Sequence, residues 1–207
     1  MPPPPRVLIS EKRILRRVGA LAREVDAWSR GGRVVVVGVL NGSILFLADL
    51  VRRLRSPVVL DCIAASSYGT ARTSSGRVLF NRRLRLNVRG AKVLLVDDIL
   101  DTGRTLAALS RFLRKLGARR VEACVLLRKN VPRAADVSAR FVGFDIPDCF
   151  VYGYGLDLRE RFRNLRDIAC APPFENETRM KTARRQPEKR AEDLGGFPAG
   201  ARPSDGG

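Results

Sequence analysis

The chain of 207 residues contains no histidine. That absence excludes Ser-His-Asp and Cys-His nucleophile systems, HExxH zinc sites and imidazole acid-base chemistry. Any reaction must run on carboxylates, hydroxyls, lysine, arginine and backbone amides. The four cysteines, Cys62, Cys124, Cys149 and Cys170, show no CxxC spacing, so neither a zinc ribbon nor a redox pair is suggested. Each sits in or beside an apolar run, which predicts buried, reduced thiols of a cytosolic protein. Long hydrophobic runs are missing as well. The longest, Val34 to Leu40, is too short to cross a bilayer, and MPPPPRVLIS lacks the apolar core of a signal peptide. The expectation is a soluble, cytoplasmic protein without membrane partners.

Acidic residues are scarce: 21 Asp plus Glu face 39 Lys plus Arg, a net charge of +18. The stretch from Phe174 onward holds 7 basic and 6 acidic residues, so nearly all of the excess lies before it. That stretch is polar and rich in Gly and Pro, with too little apolar area to offset its ordering entropy. We therefore expect one folded domain over 1–173 and a disordered tail over 174–207. The excess charge in the folded part suits a polyanionic substrate, a nucleic acid, or simply solvated arginines.

Hydrophobic patterning is next. Ile14, Leu15, Val18, Leu21, Ala22, Val25 and Trp28 form one face of a helix within 10–30, ended by Gly31-Gly32. RVVVVGVL, at 33–40, is β-branched without alternation, as in a parallel strand covered on both faces. Asn41-Gly42-Ser43 turns into a helix over 44–55 that stops before Ser56-Pro57. A strand over 58–65 leads to a loop of hydroxyls and glycines at 66–76, then to a hairpin-like region, RVLF and RLRLNV. AKVLLVDD reads as another buried strand. Leu106, Leu109, Leu113 and Leu116 stripe a helix with Gly117 at its C-terminal cap. Strands follow at 121–127, 141–144 and 150–152. Alternating strand and helix predict an α/β fold, a mostly parallel twisted sheet with helices on both faces. In such sheets ligands bind beyond the carboxyl ends of the strands.

The strongest chemical signal is VLLVDDILDTGRTL at 93–106. Asp97 and Asp98 end the strand, Asp101 follows, and Thr102-Gly103-Arg104-Thr105 stands where a helix begins. A helix start offers unpaired N–H groups and a positive dipole end, so this turn can grip a phosphate. The carboxylates before it suit sugar hydroxyls, or magnesium through water.

This segment resembles the signature of the phosphoribosyltransferases, whose donor is phosphoribosyl pyrophosphate (PRPP). The resemblance implies that Asp97 and Asp98 hold the ribose hydroxyls and that Asp101, Thr102, Gly103, Arg104 and Thr105 bind the 5-phosphate. LRKN at 127–130 and VGFDIPDCFVYGYGLDLRERFRNL at 142–165 are similar to the purine end of the hypoxanthine-guanine members of that family. That likeness implies Lys129 for the purine 6-oxo group, Phe150 for stacking, Val151 for the purine edge, Asp157 for Mg2+ and Arg163 for pyrophosphate. A lysine donor suits a 6-oxo acceptor and not the 6-amino group of adenine.

GVLNGSILFLADL at 38–50 resembles the family's pyrophosphate loop, which often carries a cis peptide, so Asn41, Gly42 and Ser43 are its counterparts here. Asn41 stands where many members have lysine, and Asp97 where many have glutamate. Ser67-Tyr68 matches the closing lid. The resemblance, over 8–170, implies the type I phosphoribosyltransferase fold with a small hood subdomain and assembly as a dimer or tetramer. It implies Mg2+-dependent transfer to hypoxanthine or guanine, with Asp101 taking the purine proton and Asp97, Asp98 and Asp157 at the metal. Two alternatives stay open: an RNA-binding regulator on the same fold, and an enzyme for another base such as xanthine.

Overall fold

A computed structural model describes residues 6–30, 32–66, 79–80, 84–132 and 134–171. The chain divides into two units, Met1–Ala171 and Pro172–Gly207, and the expected tail lies outside the described residues. In chain order the first unit contains β1 (Arg6–Ile9), α1 (Glu11–Ser29), β2 (Val34–Leu40), α2 (Ile44–Val51), β3 (Val58–Ser66) and β4 (Leu79–Phe80). It continues with β5 (Lys92–Leu100), α3 (Arg104–Lys115), β6 (Arg120–Lys129), β7 (Phe141–Ile146), β8 (Val151–Tyr152) and β9 (Ile168–Cys170). Among the described residues no helix is long and apolar enough to cross a membrane.

The main sheet has the order β4-β3-β2-β5-β6-β7. Its five long strands are parallel, and β4 joins antiparallel at one edge. Successive side chains of a strand point to opposite faces, so each continuous apolar run supplies two cores at once. Val34, Val36, Leu94, Val96 and Leu126 face a core built with Ile14, Val18, Leu21 and Val25 of α1 and Phe46, Leu47 and Leu50 of α2. Val35, Val37, Val93, Leu95 and Val125 face a second core with Leu106, Leu109 and Leu113 of α3. Two-sided coverage is why β2 shows no polar alternation, and it matches the predicted fold class.

A small antiparallel sheet, β1-β9-β8, supplies the hood. The expected hood is there, but β1 and β9, of four and three residues, are too short to carry a period.

Several expected boundaries differ. The helix after Ser43 ends at Val51 instead of Arg55, because the Asp26 carboxylate of α1 accepts the Arg55 and Ser56 amides at 3.0 Å each and draws the chain away. Among the described residues the hairpin-like region does not pair with itself: β4 pairs with the end of β3. Instead, Asp61 Oδ2 accepts the Arg85 and Leu86 amides at 2.6 and 3.3 Å, replacing a ladder for that stretch. β5 also runs two residues past Asp98, through Ile99 and Leu100. Of the cysteines only Cys124 is buried; Cys62, Cys149 and Cys170 are half-buried, and all four are free. Gly117 (φ +91°) follows α3 as foreseen, at the left-handed position past its end.

Phe46 is fully buried between α1, α2 and the sheet. Phe46→Ala should cost about 3–5 kcal/mol by cavity formation, read by denaturant unfolding. A loss below about 1 kcal/mol would contradict this packing.

Candidate active site

The parallel strands end together, and the loops beyond their carboxyl ends carry the predicted residues. At the end of β2 the Leu40–Asn41 peptide is cis. Ser43 is fully buried, and its hydroxyl donates to the Val39 carbonyl, so that oxygen anchors the turn. The Leu47 amide donates to Ser43 O at 2.7 Å to start α2. What the turn can offer a ligand is therefore its Gly42 and Ser43 amides, not the Ser43 side chain.

Gly42 is the tightest point. A Cβ on it would stand 1.6 Å from Asp98 Oδ2 and 2.8 Å from Asp98 Cγ. Gly155, at φ +97°, closes from another side: a Cβ there would meet Gly42 O at 2.4 Å. Only glycine fits at both positions, and the contacts bring the loops after β2 and β8 together with the end of β5.

Asp97 is buried and Asp98 half-buried. Asp97 Oδ1 accepts the Asp98 amide at 3.0 Å, and Asp98 Oδ1 accepts the Ile99 amide at 2.6 Å. Burial pushes the Asp97 carboxyl well above the usual aspartate range, and the neighbouring Asp98 charge adds to it. Asp98 is also raised by burial, partly offset by hydrogen bonds and by the positive charge of Arg163.

Arg163 is fixed from several sides. Its Nη1 donates to Gly155 O at 2.9 Å, and its Nη2 lies 2.8 Å from Asp157 Oδ1 and 3.2 Å from Glu160 Oε2. Asp157 Oδ2 accepts the Glu160 amide at 2.9 Å. Arg163 and Asp157 thus form one unit that the sequence could only place by resemblance.

The segment after β5 has the geometry of a phosphate cradle. Gly103 adopts φ +81° at the start of α3, and no side chain caps the helix. Its first-turn amides point to the loop side without a side-chain acceptor, as anion binding requires. Thr102 and Arg104 are exposed and Thr105 half-exposed. The loop is clamped from outside, since Ala134 N donates to Thr102 O at 3.0 Å and a Cβ on Gly103 would strike Val137 at 2.6 Å.

Lys129, at the end of β6, connects this loop to the purine end. Its Nζ lies 3.2 Å from Asp101 Oδ2 and 3.3 Å from Asp148 Oδ1. Partial burial opposes the charge on Lys129, but the two carboxylates outweigh it and its pKa rises above the ordinary lysine value. The ammonium therefore stays a donor across the neutral range. A cleft of about 650 Å3 borders it, lined by Arg128, Asn130 and Ile146 among others. Phe150 is half-exposed although it is a large aromatic, while Val151 beside it is buried in β8. Ser67 and Tyr68 lie outside the described residues.

Three positioning contacts escape sequence reading. Tyr154 Oη donates to Asp49 Oδ2 of α2 at 2.6 Å across 105 positions, and Arg53 holds the other Asp49 oxygen at 3.1 Å. Burial raises the Tyr154 pKa, and Asp49 raises it further, so the phenol remains a donor. Asp148 as a second partner of Lys129 is the next, and Gly155 against Gly42 the last. The string YGYG at 152–155 was the available signal for the tyrosine and its flanking glycines.

Residues 8–159 match the model of the phosphoribosyl transferase domain. The chain is 39% identical over 168 residues to the hypoxanthine-guanine phosphoribosyltransferase of Bacillus subtilis, covering 81% of this chain and 93% of that one. It is 42% identical to the Aquifex aeolicus protein of the same name, over 79% of this chain and 92% of the relative. A crystal structure of a Bacillus anthracis hypoxanthine-guanine phosphoribosyltransferase superposes with a TM-score of 0.76 at 38% identity, covering 80% of this chain and 98% of that one. The acid pair of β5, the uncapped turn before α3 and the lysine beside it thus sit in a familiar frame, and the chain belongs to the hypoxanthine-guanine phosphoribosyltransferases of the phosphoribosyltransferase family.

Proposed function

We propose that the chain transfers the 5-phosphoribosyl group of PRPP to hypoxanthine or guanine, giving IMP or GMP and pyrophosphate, as a step of purine salvage. The observation that carries this reading is the Lys129–Asp101 pair at 3.2 Å. It sets an ammonium, suited to a 6-oxo oxygen, beside a carboxylate that directly precedes the turn at 102–105. In the bond-making step the purine N9 attacks C1 of the ribose as the bond to pyrophosphate breaks, and Asp101 accepts the proton released from the base. Positive charge grows on the ribose and negative charge on the leaving group, so catalysis is mainly positioning and electrostatics.

Each loop has a share in that work. Residues 102–105 hold the 5-phosphate with first-turn amides and hydroxyls. Asp97 and Asp98 accept the two ribose hydroxyls, which returns to the buried acids the hydrogen bonds that burial removes. The Gly42 and Ser43 amides and Arg163 receive the departing pyrophosphate. Phe150 stacks on the base, whose edge meets the Val151 backbone.

The donor set fits Mg2+ in one particular way. Among the described residues no three acids or cysteines cluster tightly enough to cage a cation. One or two carboxylates completed by water and substrate oxygens is how Mg2+ prefers to bind. Either Asp157 or the Asp97–Asp98 pair would supply those one or two carboxylates, and the cation when bound would offset the charge of the leaving pyrophosphate.

The deciding experiment is IMP formation from hypoxanthine and PRPP with Mg2+. Absence of product with both hypoxanthine and guanine at saturating PRPP would sink the reading. In the same assay Asp101→Asn should lower kcat by about 100-fold or more with little change in the KM for PRPP. Lys129→Ala should raise the purine KM by roughly 10- to 100-fold, the loss of a charge-assisted hydrogen bond. An unchanged purine KM would show that Lys129 does not read the base.

The acid pair makes a separate prediction for the protein without substrate. Both carboxyls have folded pKa values above the unfolded value of about 3.9. The folded state therefore holds its protons longer, and the pair's contribution to stability is fully present below about pH 4 and is lost as pH rises through the folded values. Asp97→Asn keeps the acceptor for the Asp98 amide and removes the charge. Its stability relative to wild type should improve from about pH 4 to about pH 8 in denaturant titrations; a relative decline would contradict the shift.

A further inference from the structure

The edge of the sheet opposite the active site carries a second concentration of charge. Lys92 opens β5, Arg120 opens β6 and Phe141 opens β7. At about 3.3 Å per residue, Lys92 lies roughly 16 Å from Asp97 along the strand. A cavity of about 910 Å3 opens here, with Arg30, Lys92, Arg119, Arg120 and Arg140 around Trp28.

Most of these charges meet no carboxylate among the described residues. Lys92 Nζ donates to Ser29 O at 3.3 Å and stands 5.8 Å over the Trp28 ring, so it serves the carboxyl end of α1. Arg120 and Arg140 share one carboxylate, Glu122, at 2.7 and 3.9 Å. The acid in the cavity wall, Glu24, is already taken by Arg17 at 2.6 Å. Arg30 and Arg119 meet no carboxylate among the described residues. Five cations against one carboxylate leave a surplus of about four charges in a concave site, where field lines are focused. Trp28 adds an independent oddity. It is 9% exposed, and its Nε1 is the buried side-chain polar atom without a hydrogen-bond partner among the described residues.

We propose that this cavity is a second ligand site, for the phosphate chain of a small polyphosphate. Guanidinium forks match phosphate oxygens in pairs, and a chain of two or three phosphates carries the charge that the surplus can neutralise. A single-stranded nucleic acid is the less suited ligand, because strand binding relies on exposed aromatic faces. Trp28 and Phe141 are 9% and 4% exposed, packed edge to face at 6.0 Å.

Trp28 is the single tryptophan of the chain, so it reports on this site alone. The test follows its indole N–H resonance in the full-length 15N-labelled protein during titration with inorganic tripolyphosphate. A saturable shift is expected in wild type and equally in Arg163→Ala, which alters only the pyrophosphate site. In the Arg30→Asn/Arg119→Gln double variant the midpoint should move up roughly tenfold or more. Asparagine tolerates the left-handed conformation of Arg30, φ 54°. Wild-type transfer rates in the double variant confirm that it is folded; should it fail to fold, Arg119→Gln alone carries the comparison. A shift that is not saturable, that chloride at matched ionic strength reproduces, or that the variants leave unchanged overturns the proposal. A single-stranded RNA oligomer that saturates the signal at lower concentration than tripolyphosphate overturns it in favour of a nucleic-acid site.

Discussion

The active site rests on one close approach. Asp98 of β5 and the glycines of two loops, Gly42 after β2 and Gly155 after β8, leave no room for a β-carbon on either glycine. Because the Asp98 carboxyl lies against Gly42, the amides of the loop after β2 and the acid pair of β5 hold a fixed spacing. Gly155 O then carries Arg163, which carries Asp157. Tyr154, gripping Asp49 on α2, keeps the last loop from drifting away. Preorganisation of this sort is what transfer chemistry with little covalent work by the protein demands.

The energetics run in two directions across that contact. Two adjacent carboxyls at the end of a buried strand destabilise the empty protein at neutral pH, as their raised pKa values record. The two apolar cores on the faces of the sheet supply the stability that tolerates this, with α1 and α2 on one face and α3 on the other. In the proposed reaction, substrate hydroxyls and a cation offset the cost of burying that pair. Stability is given up locally where binding needs it.

Much of the candidate site was legible because it is contiguous. Asp97, Asp98, Asp101 and Thr102–Thr105 fall within nine positions, and the strand-turn-helix pattern around them fixes which backbone amides are free. Lys129 and Phe150 were readable through their surrounding string. What remained hidden depends on contacts between distant segments. Asp26 stops α2 from across the helix pair, Asp61 replaces a strand ladder for 85–86, and Tyr154 meets Asp49 after 105 intervening steps of chain. None of these has a local period or spacing. The surplus of arginine had no explanation in the transfer reaction, and only the tertiary structure shows part of it gathered around Trp28.

On the proposed function, the Gly42 contact sets the distance between the acid pair of β5 and the loop after β2. The measurement that tests it most directly is kcat/KM for PRPP in Gly42→Ala, with the thermal midpoint recorded alongside. A methyl group 1.6 Å from Asp98 Oδ2 must displace that carboxyl, so kcat/KM should fall by about 100-fold or more while the midpoint changes by only a few degrees. Wild-type kcat/KM in a folded Gly42→Ala protein would contradict the account.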